Sequence, residues 1–208
     1  MHFPFYTSLV IASLSFLFSA CSESFTDPRD GQSYDVVKIG SLTWMAENLN
    51  YETETSACPD GDSRNCKRLG QLYTWVKAKT VCPEGWRLPT SADFAELISA
   101  ASGDDARPLA GAALKAKDGW FKKGNGTDEF GFNALPAGYR GAISKADDGA
   151  IVGGKFDGIG GYAYFWSADE DAENPESNAF YLFLSFSSDA ASLNAFAKED
   201  YRSVRCVR

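Results

Sequence analysis

After its second residue the chain contains no histidine. That single absence removes Ser-His-Asp and Cys-His nucleophilic machinery, zinc centres with imidazole ligands and the commonest general base. Any chemistry in the mature chain would have to rest on carboxylates, Tyr, Lys, thiols or a metal held by oxygen and sulfur. Residues 1–20 also lack Asp, Glu, Lys and Arg. No apolar run reaches the roughly 20 residues a membrane-spanning helix needs; the stretch Leu9 to Ala20 has instead the length of the apolar region of a cleaved leader. Internal repeats, low-complexity blocks and long linkers are absent too, so the remainder reads as one domain.

What is present begins with Cys21, directly after Leu17, Phe18, Ser19 and Ala20. A thiol placed just behind an apolar run and a pair of small residues is how a bacterial lipoprotein signal ends. The expectation is a leader over 1–20, a lipidated Cys21, a short polar tether over 21–29 and a domain over 30–208. Lipidation makes the membrane a partner through the anchor. Ser22 in the second position, where no acid stands, points to an outer-membrane lipoprotein exposed at the cell surface. The alternative is an ordinary leader cleaved after Ala20, with Cys21 a thiol.

The formal net charge of −8 lies wholly after residue 20 and repels phosphate backbones, which excludes nucleic acid as a natural partner. Fifteen Phe, nine Tyr and five Trp make the chain aromatic-rich, enough for a sizeable core. Setting Cys21 aside leaves Cys58, Cys66, Cys82 and Cys206, an even set that favours two disulfides in an oxidising compartment. Of the three possible pairings, proximity favours Cys58 with Cys66, around the polar turn Pro59 to Asp62, and so Cys82 with Cys206. A four-thiolate metal site is the competing reading, without a CxxC to support it.

Along the chain, Ser33 to Ile39 and Leu42 to Met45 flank Gly40 and Ser41 as a hairpin would. Leu69 to Lys79 places Leu72, Trp75 and Val76 at helical spacing, and Ser91 to Ala101 does the same with Phe94, Leu97 and Ile98, introduced by Thr90 as N-cap and Asp93 as its capping-box partner. From Gly103 onward glycine-punctuated loops and short strands replace helices. Tyr162 to Trp166 reads as a strand, Ala179 to Phe186 alternates, and Leu193 to Ala197 with Ser203 to Val207 would complete an antiparallel ladder. Early helices and a late meander indicate an α+β fold.

At Cys82 to Thr90, CPEGWRLPT, a resemblance becomes visible. Together with the segments at 30–51 (DGQSYDVVKIGSLTWMAENLNY), 70–75 (GQLYTW), 126–140 (GTDEFGFNALPAGYR), 164–168 (YFWSA) and 203–208 (SVRCVR), the chain resembles the Fibrobacter succinogenes major paralogous domain family. That family is similar to the C-type-lectin-like superfamily and, more distantly, to the formylglycine-generating and sulfatase-modifying domains, which share a WRLPT-then-helix segment. The resemblance implies two helices around a small twisted antiparallel sheet, a long loop-rich half, terminal strands close together, and a surface or secreted location. It supplies no established activity.

Candidate site residues follow from chemistry. Trp44, Trp75 and Trp86 read as core, whereas Trp120 and Trp166 lie in the loop-rich half, where an exposed aromatic could stack on a sugar ring and a buried one would only pack. Asp169, Asp171, Glu173 and Glu176 concentrate the oxygen ligands calcium takes, making calcium the one cofactor to consider; a solvated loop is the other reading. The glycines around Lys155 lack the Lys-Ser/Thr ending of a P-loop, and Asn125-Gly126-Thr127 fits a turn as well as a glycosylation acceptor. The expected function is a lipid-anchored, non-catalytic surface module for adhesion or for binding an extracellular polysaccharide or protein. The alternatives are an oxidoreductase like the formylglycine generators, whose resemblance implies a reactive cysteine pair with copper, and a structural envelope lipoprotein without a soluble ligand.

Overall fold

The computed structural model describes residues 23–102 and 109–208. Cys21 and the leader expectation lie outside them. The elements, in chain order, are β1 (Glu23–Thr26), β2 (Ser33–Ile39), β3 (Leu42–Met45), a 3-10 turn (Pro59–Gly61), α1 (Ser63–Leu69), β4 (Tyr73–Thr74), α2 (Trp75–Val81), α3 (Ser91–Ser102), α4 (Ala110–Leu114), β5 (Tyr139–Arg140), β6 (Ile143–Lys145), β7 (Ile151–Gly153), β8 (Phe156–Asp157), β9 (Tyr162–Glu170), β10 (Asn178–Ser185), β11 (Ala191–Ala197) and β12 (Tyr201–Arg202). The strands form sheets ordered β1-β2-β3, β11-β10-β9, β4-β12-β5-β8 and β6-β7, all with antiparallel neighbours. The fold is mixed α and β, with four α-helices among the described residues rather than the two expected.

The β2–β3 hairpin closes where the sequence places it, with Ile39 opposite Leu42 and Gly40 at φ 63, a left-handed turn that glycine enters without a Cβ penalty. Segment 23–29 is not a free tether. Glu23 to Thr26 pair with Ser33 to Val36, Phe25 lies 5.2 Å from the Trp86 ring, and Arg29 grips the Asp27 carboxylate and the Val81 carbonyl.

The continuous helix expected over Leu69 to Lys79 is two helices and a bridge. Gly70, at φ 72, ends α1; Leu72 then exchanges backbone hydrogen bonds with Ala57, and only at Trp75 does helix resume. Backbone pairing at Leu72 overrides the helical spacing, and Val76, placed on the buried stripe by that spacing, is 67% exposed. Helix α3 has the expected capping box: Thr90 Oγ1 accepts from the Asp93 N–H at 3.1 Å while the Thr90 N–H donates to Asp93 Oδ2 at 2.6 Å. Helix α4 was not visible as a helix, because its five residues, Ala-Gly-Ala-Ala-Leu, are too short to carry a period.

Two large apolar clusters, with a small third of Leu69, Leu72 and Ala137, make the core among the described residues. One gathers Trp44, Phe94, Trp120, Phe132, Phe165, Leu182, Leu184 and Val207; the other gathers Tyr34, Met45, Tyr73, Trp75, Trp86, Trp166, Val204 and Cys206. The last residues of the chain run between them. They do not extend the β10–β11 ladder as expected, because their neighbours come from separate elements: Val207 bridges Trp44 and Arg87, and Ser203 bridges Phe165. In this extended run Val204 and Cys206 enter one cluster, while Arg205 lies over the Phe132 and Phe165 rings of the other, the period-2 alternation of a strand. Disulfides join Cys58 to Cys66 and Cys82 to Cys206, the pairing proximity favours. The second ties the final segment to the chain just ahead of α3.

Candidate binding face

Strand β9 alternates Tyr162, Tyr164 and Trp166 on one face with Ala163 and Phe165 on the other, and β10 answers with Tyr181 and Phe183 against Leu182 and Leu184. The aliphatic side and Phe165 are fully buried in the first core cluster. An antiparallel sheet buried on one face ordinarily presents polar residues on the other. Here the second face is aromatic. Tyr162 stacks on Phe183 at 5.7 Å and meets Phe186 at 5.9 Å; Tyr164 lies 5.2 Å from Phe183, 5.4 Å from Tyr139 and 5.6 Å from Tyr181. Two more rings flank this row, Phe121 at 54% and Phe196 at 55% exposure. The β10–β11 register sets Ser192 opposite Phe183 and Asn194 opposite Tyr181, so β11 adds polar groups to the same face.

Beneath one end of the row is Arg202, 2% exposed, with its guanidinium carbon 4.4 Å from the Tyr181 ring, 4.6 Å from Trp166 and 5.3 Å from Tyr164. It donates to Asp200 Oδ2 at 3.1 Å, while Asp200 Oδ1 accepts the Ala142 N–H at 3.0 Å; Arg202 Nε has no oxygen partner and relies on the ring faces. Burial pushes the Asp200 carboxyl up and the Arg202 guanidinium down. A guanidinium keeps its proton far above neutral pH, so Arg202 is the fixed cation under the face. Burial likewise raises the Tyr164 and Tyr181 hydroxyls, leaving them as neutral hydrogen-bonding groups.

The two tryptophans expected to stack on sugars do not reach the surface. Trp120 is 5% exposed and donates its indole N–H to Ala134 O at 3.0 Å; Trp166 is fully buried and donates to Tyr73 O at 2.8 Å. They belong to different core clusters. An indole whose polar edge is satisfied by buried backbone packs as core. The exposed rings are instead Phe121 and Phe196, while Tyr162, Tyr164, Phe183 and Phe186 are half-buried and Tyr181, 9% exposed, belongs to the second core cluster. Period-2 alternation over Ala179 to Phe186 sets Phe180, Leu182, Leu184 and Phe186 on one face; Leu182 and Leu184 are buried in the first cluster, and Phe186, just past the end of β10, meets the Tyr162 ring.

The acidic stretch after β9 does not gather. Asp169 turns back to accept the Ser91 N–H at the start of α3, at 2.7 Å; Asp171 accepts the Glu173 N–H within its own turn; Glu173 and Glu176 are exposed. Each carboxylate near a backbone donor serves that donor, and no group of three or more Asp, Glu, Cys or His that could hold a metal occurs among the described residues. Asn125 accepts the Trp120 N–H at 3.1 Å, closing a turn.

Elsewhere the perturbed acids are spent in local pairs. Arg29, Arg87 and Lys198 hydrogen-bond Asp27, Asp93 and Glu170 and hold all three carboxyls below their usual range against some burial. A polar cleft of about 630 Å³ is lined by Asp30, Asn50, Glu52, Lys67 and Gln71, with the Cys58–Cys66 disulfide in its wall. No helix among the described residues is long and apolar enough to cross a membrane.

Comparison with curated proteins and with solved structures finds no match. A family model does match, and it spans residues 37–208, from within β2 through both disulfides, the aromatic face and the final Arg-rich segment. The chain therefore belongs to the Fibrobacter succinogenes major domain family.

Proposed function

We propose that the domain is a non-catalytic binding module with a C-type-lectin-like arrangement, held on the outer surface of a cell envelope by lipid on Cys21, and that its ligand is an extracellular glycan. The observation that carries the reading is the half-buried aromatic row Phe186, Tyr162, Phe183 and Tyr164 on the β9–β10 sheet, together with the exposed rings of Phe121 and Phe196. A pyranose ring has apolar C–H faces and hydroxyl edges. Rings of Tyr and Phe suit the faces, and Tyr hydroxyls with Asn194 and Ser192 suit the edges. Exposed aromatics in a contiguous patch mark an interaction surface.

Two further features support this reading. All four cysteines among the described residues form disulfides, leaving no thiol pair for a formylglycine-type oxidation. The close pairing of Thr43 with Arg208 and of Met45 with Cys206 brings the first hairpin and the last residues together, as a C-type-lectin-like domain would.

The test is retention of the full chain on insoluble cellulose and on an array of soluble polysaccharides, with Phe121→Ser, Phe196→Ser and Tyr162→Ala compared with the parent. Binding to at least one glycan class, weakened by these changes while near-ultraviolet circular dichroism is preserved, is the expected result. Failure of every carbohydrate to bind overturns the glycan reading.

A further inference from the structure

The cleft of about 630 Å³ beside α1 holds a side chain that the fold does not use. Gln71 is 6% exposed, its main-chain N–H donates to Leu49 O at 3.0 Å, and its side-chain amide hydrogen-bonds none of the described residues. That amide is buried without being sealed, and the opening it has is onto the cleft. A buried amide without a partner costs stability, so its presence requires an explanation. Asn50, on the same wall, is also incompletely satisfied: its Nδ2 donates to Gln32 Oε1 at 3.2 Å, while its Oδ1 is buried with no partner. The first bond leaves Gln32 Nε2 as a donor on the cleft wall.

The walls are built before any ligand arrives. The Cys58–Cys66 disulfide fixes one of them to α1; on the other, Tyr34 Oη accepts the Asn50 N–H at 3.1 Å and Tyr73 Oη donates to Tyr51 O at 2.6 Å. The charged residues of the lining, Asp30, Glu52 and Lys67, are all exposed and form the rim. A charge carried to the floor would lose its hydration and meet only neutral amide, so the deepest ligand group is neutral and polar. A peptide main chain is neutral and polar too, but it docks by adding a strand, and the cleft is lined by α1 and loops with no strand edge. Sugar hydroxyls, each a donor and an acceptor on neighbouring carbons, match the Gln71 amide, the Gln32 N–H and the Ser63 hydroxyl together. We infer that this cleft binds a neutral mono- or disaccharide unit, with the Gln71 amide hydrogen-bonding adjacent hydroxyls. The site shares its ligand class with the aromatic row but none of its residues.

The test titrates the full chain with D-glucose, D-galactose, D-mannose, N-acetyl-D-glucosamine and cellobiose, read by calorimetry and by the Gln71 side-chain amide resonances. At least one probe should bind saturably with a Kd of about a millimolar and move those resonances. Gln71→Met should weaken binding about tenfold, the loss of two neutral hydrogen bonds, and leave the urea midpoint unchanged or higher because it strands no internal partner. Lys67→Ala, on the exposed rim, should weaken binding about threefold, and Phe121→Ser should leave it unchanged. Absence of saturable binding by every probe overturns the inference, as does binding that Gln71→Met or Lys67→Ala leaves intact, or a Gln71→Met midpoint lowered as for a bonded amide. Retention on a polysaccharide without small-saccharide binding overturns the cleft and leaves the aromatic row standing; the converse overturns the row alone.

Discussion

Arg205 is where stability is most concentrated in a single side chain, and Arg205→Met is the perturbation that tests it. The residue is fully buried. Its guanidinium donates to Asn48 Oδ1 at 2.9 Å, Met45 O at 3.2 Å, Asn133 O at 2.8 Å and Phe132 O, and its carbon lies 4.6 Å from the Phe132 ring. Burial pulls its pKa down to about 9, the signature of a desolvated cation, yet it stays charged at neutral pH. Methionine keeps much of the volume and strands four acceptors. Each unsatisfied buried group costs about 1–3 kcal/mol, and relief of the cation's desolvation returns several of these. The net expectation is about 3–5 kcal/mol of lost stability, a large share of the roughly 5–15 kcal/mol a domain has. For a domain of this size that lowers Tm by roughly 6–20 °C. Arg205→Lys keeps the charge but offers three donors at one point to acceptors arranged around a planar fork, so it should restore little. Urea denaturation under oxidising conditions measures both. A lysine variant within about 0.5 kcal/mol of the parent, the size of an ordinary surface substitution, would refute the reasoning.

Three other expectations follow from the geometry. In the chain-entropy model, the disulfide closing 124 residues between Cys82 and Cys206 is worth about 5 kcal/mol and the one closing 8 residues between Cys58 and Cys66 about 2.5 kcal/mol, so the double alanine variants should rank in that order in equilibrium unfolding. At alkaline pH, Tyr34 is raised to about 12, and Tyr73, Tyr164 and Tyr181 are raised as well, chiefly by burial. A raised folded pKa gives stability that is complete below pH 10 and lost as pH climbs through the folded value, so stability should fall between about pH 10 and 12 despite the opposite, single-group contribution of Arg205. Tyrosinate absorbance rising in step with loss of circular dichroism checks this; titration of Tyr34, Tyr73, Tyr164 and Tyr181 near pH 10 with the fold intact would contradict it. Because Asp169 and Asp171 serve backbone donors, Glu170 pairs with Lys198, and Glu173 and Glu176 face solvent, adding calcium or a chelator should move Tm by less than about 1 °C, and a larger calcium-dependent rise would reinstate a metal site.

Where a local rule acts alone, the sequence was a reliable guide. Gly40 and Ser41 between two β-rich runs made a hairpin, Thr90 and Asp93 made a capping box, and even cysteine parity with loop length made the disulfide pairs. It misled where two rules competed. Leu72, Trp75 and Val76 satisfy a helical period, but Gly70 stops the preceding helix and a backbone bridge to Ala57 claims Leu72, a contact that depends on a segment fifteen residues away. The final SVRCVR block looked like one more strand of the late meander, yet it is extended chain whose partners come from three places. Nothing in its own six letters says that Arg205 rather than Arg208 is buried.

The binding face fell to the same difficulty. Period-2 alternation reports that a strand has two faces, and aliphatic Leu182 and Leu184 correctly marked the one turned to the core. It does not report whether the opposite face, with Tyr181 and Phe183, is covered by another layer or left to solvent. That depends on β5 and β12, which bring Tyr139 and Arg202 to one end of the row and leave the Tyr162, Phe183 and Phe186 end open. Tryptophan drew attention because it is the largest stacking surface, and for that reason the fold spends Trp120 and Trp166 on the core. Smaller aromatics, repeated at alternate positions of adjacent strands, carry the signal: at one end of this second face Trp166 and Tyr181 enter the second core cluster, while Tyr162, Phe183 and Phe186 at the other end stay only half-buried.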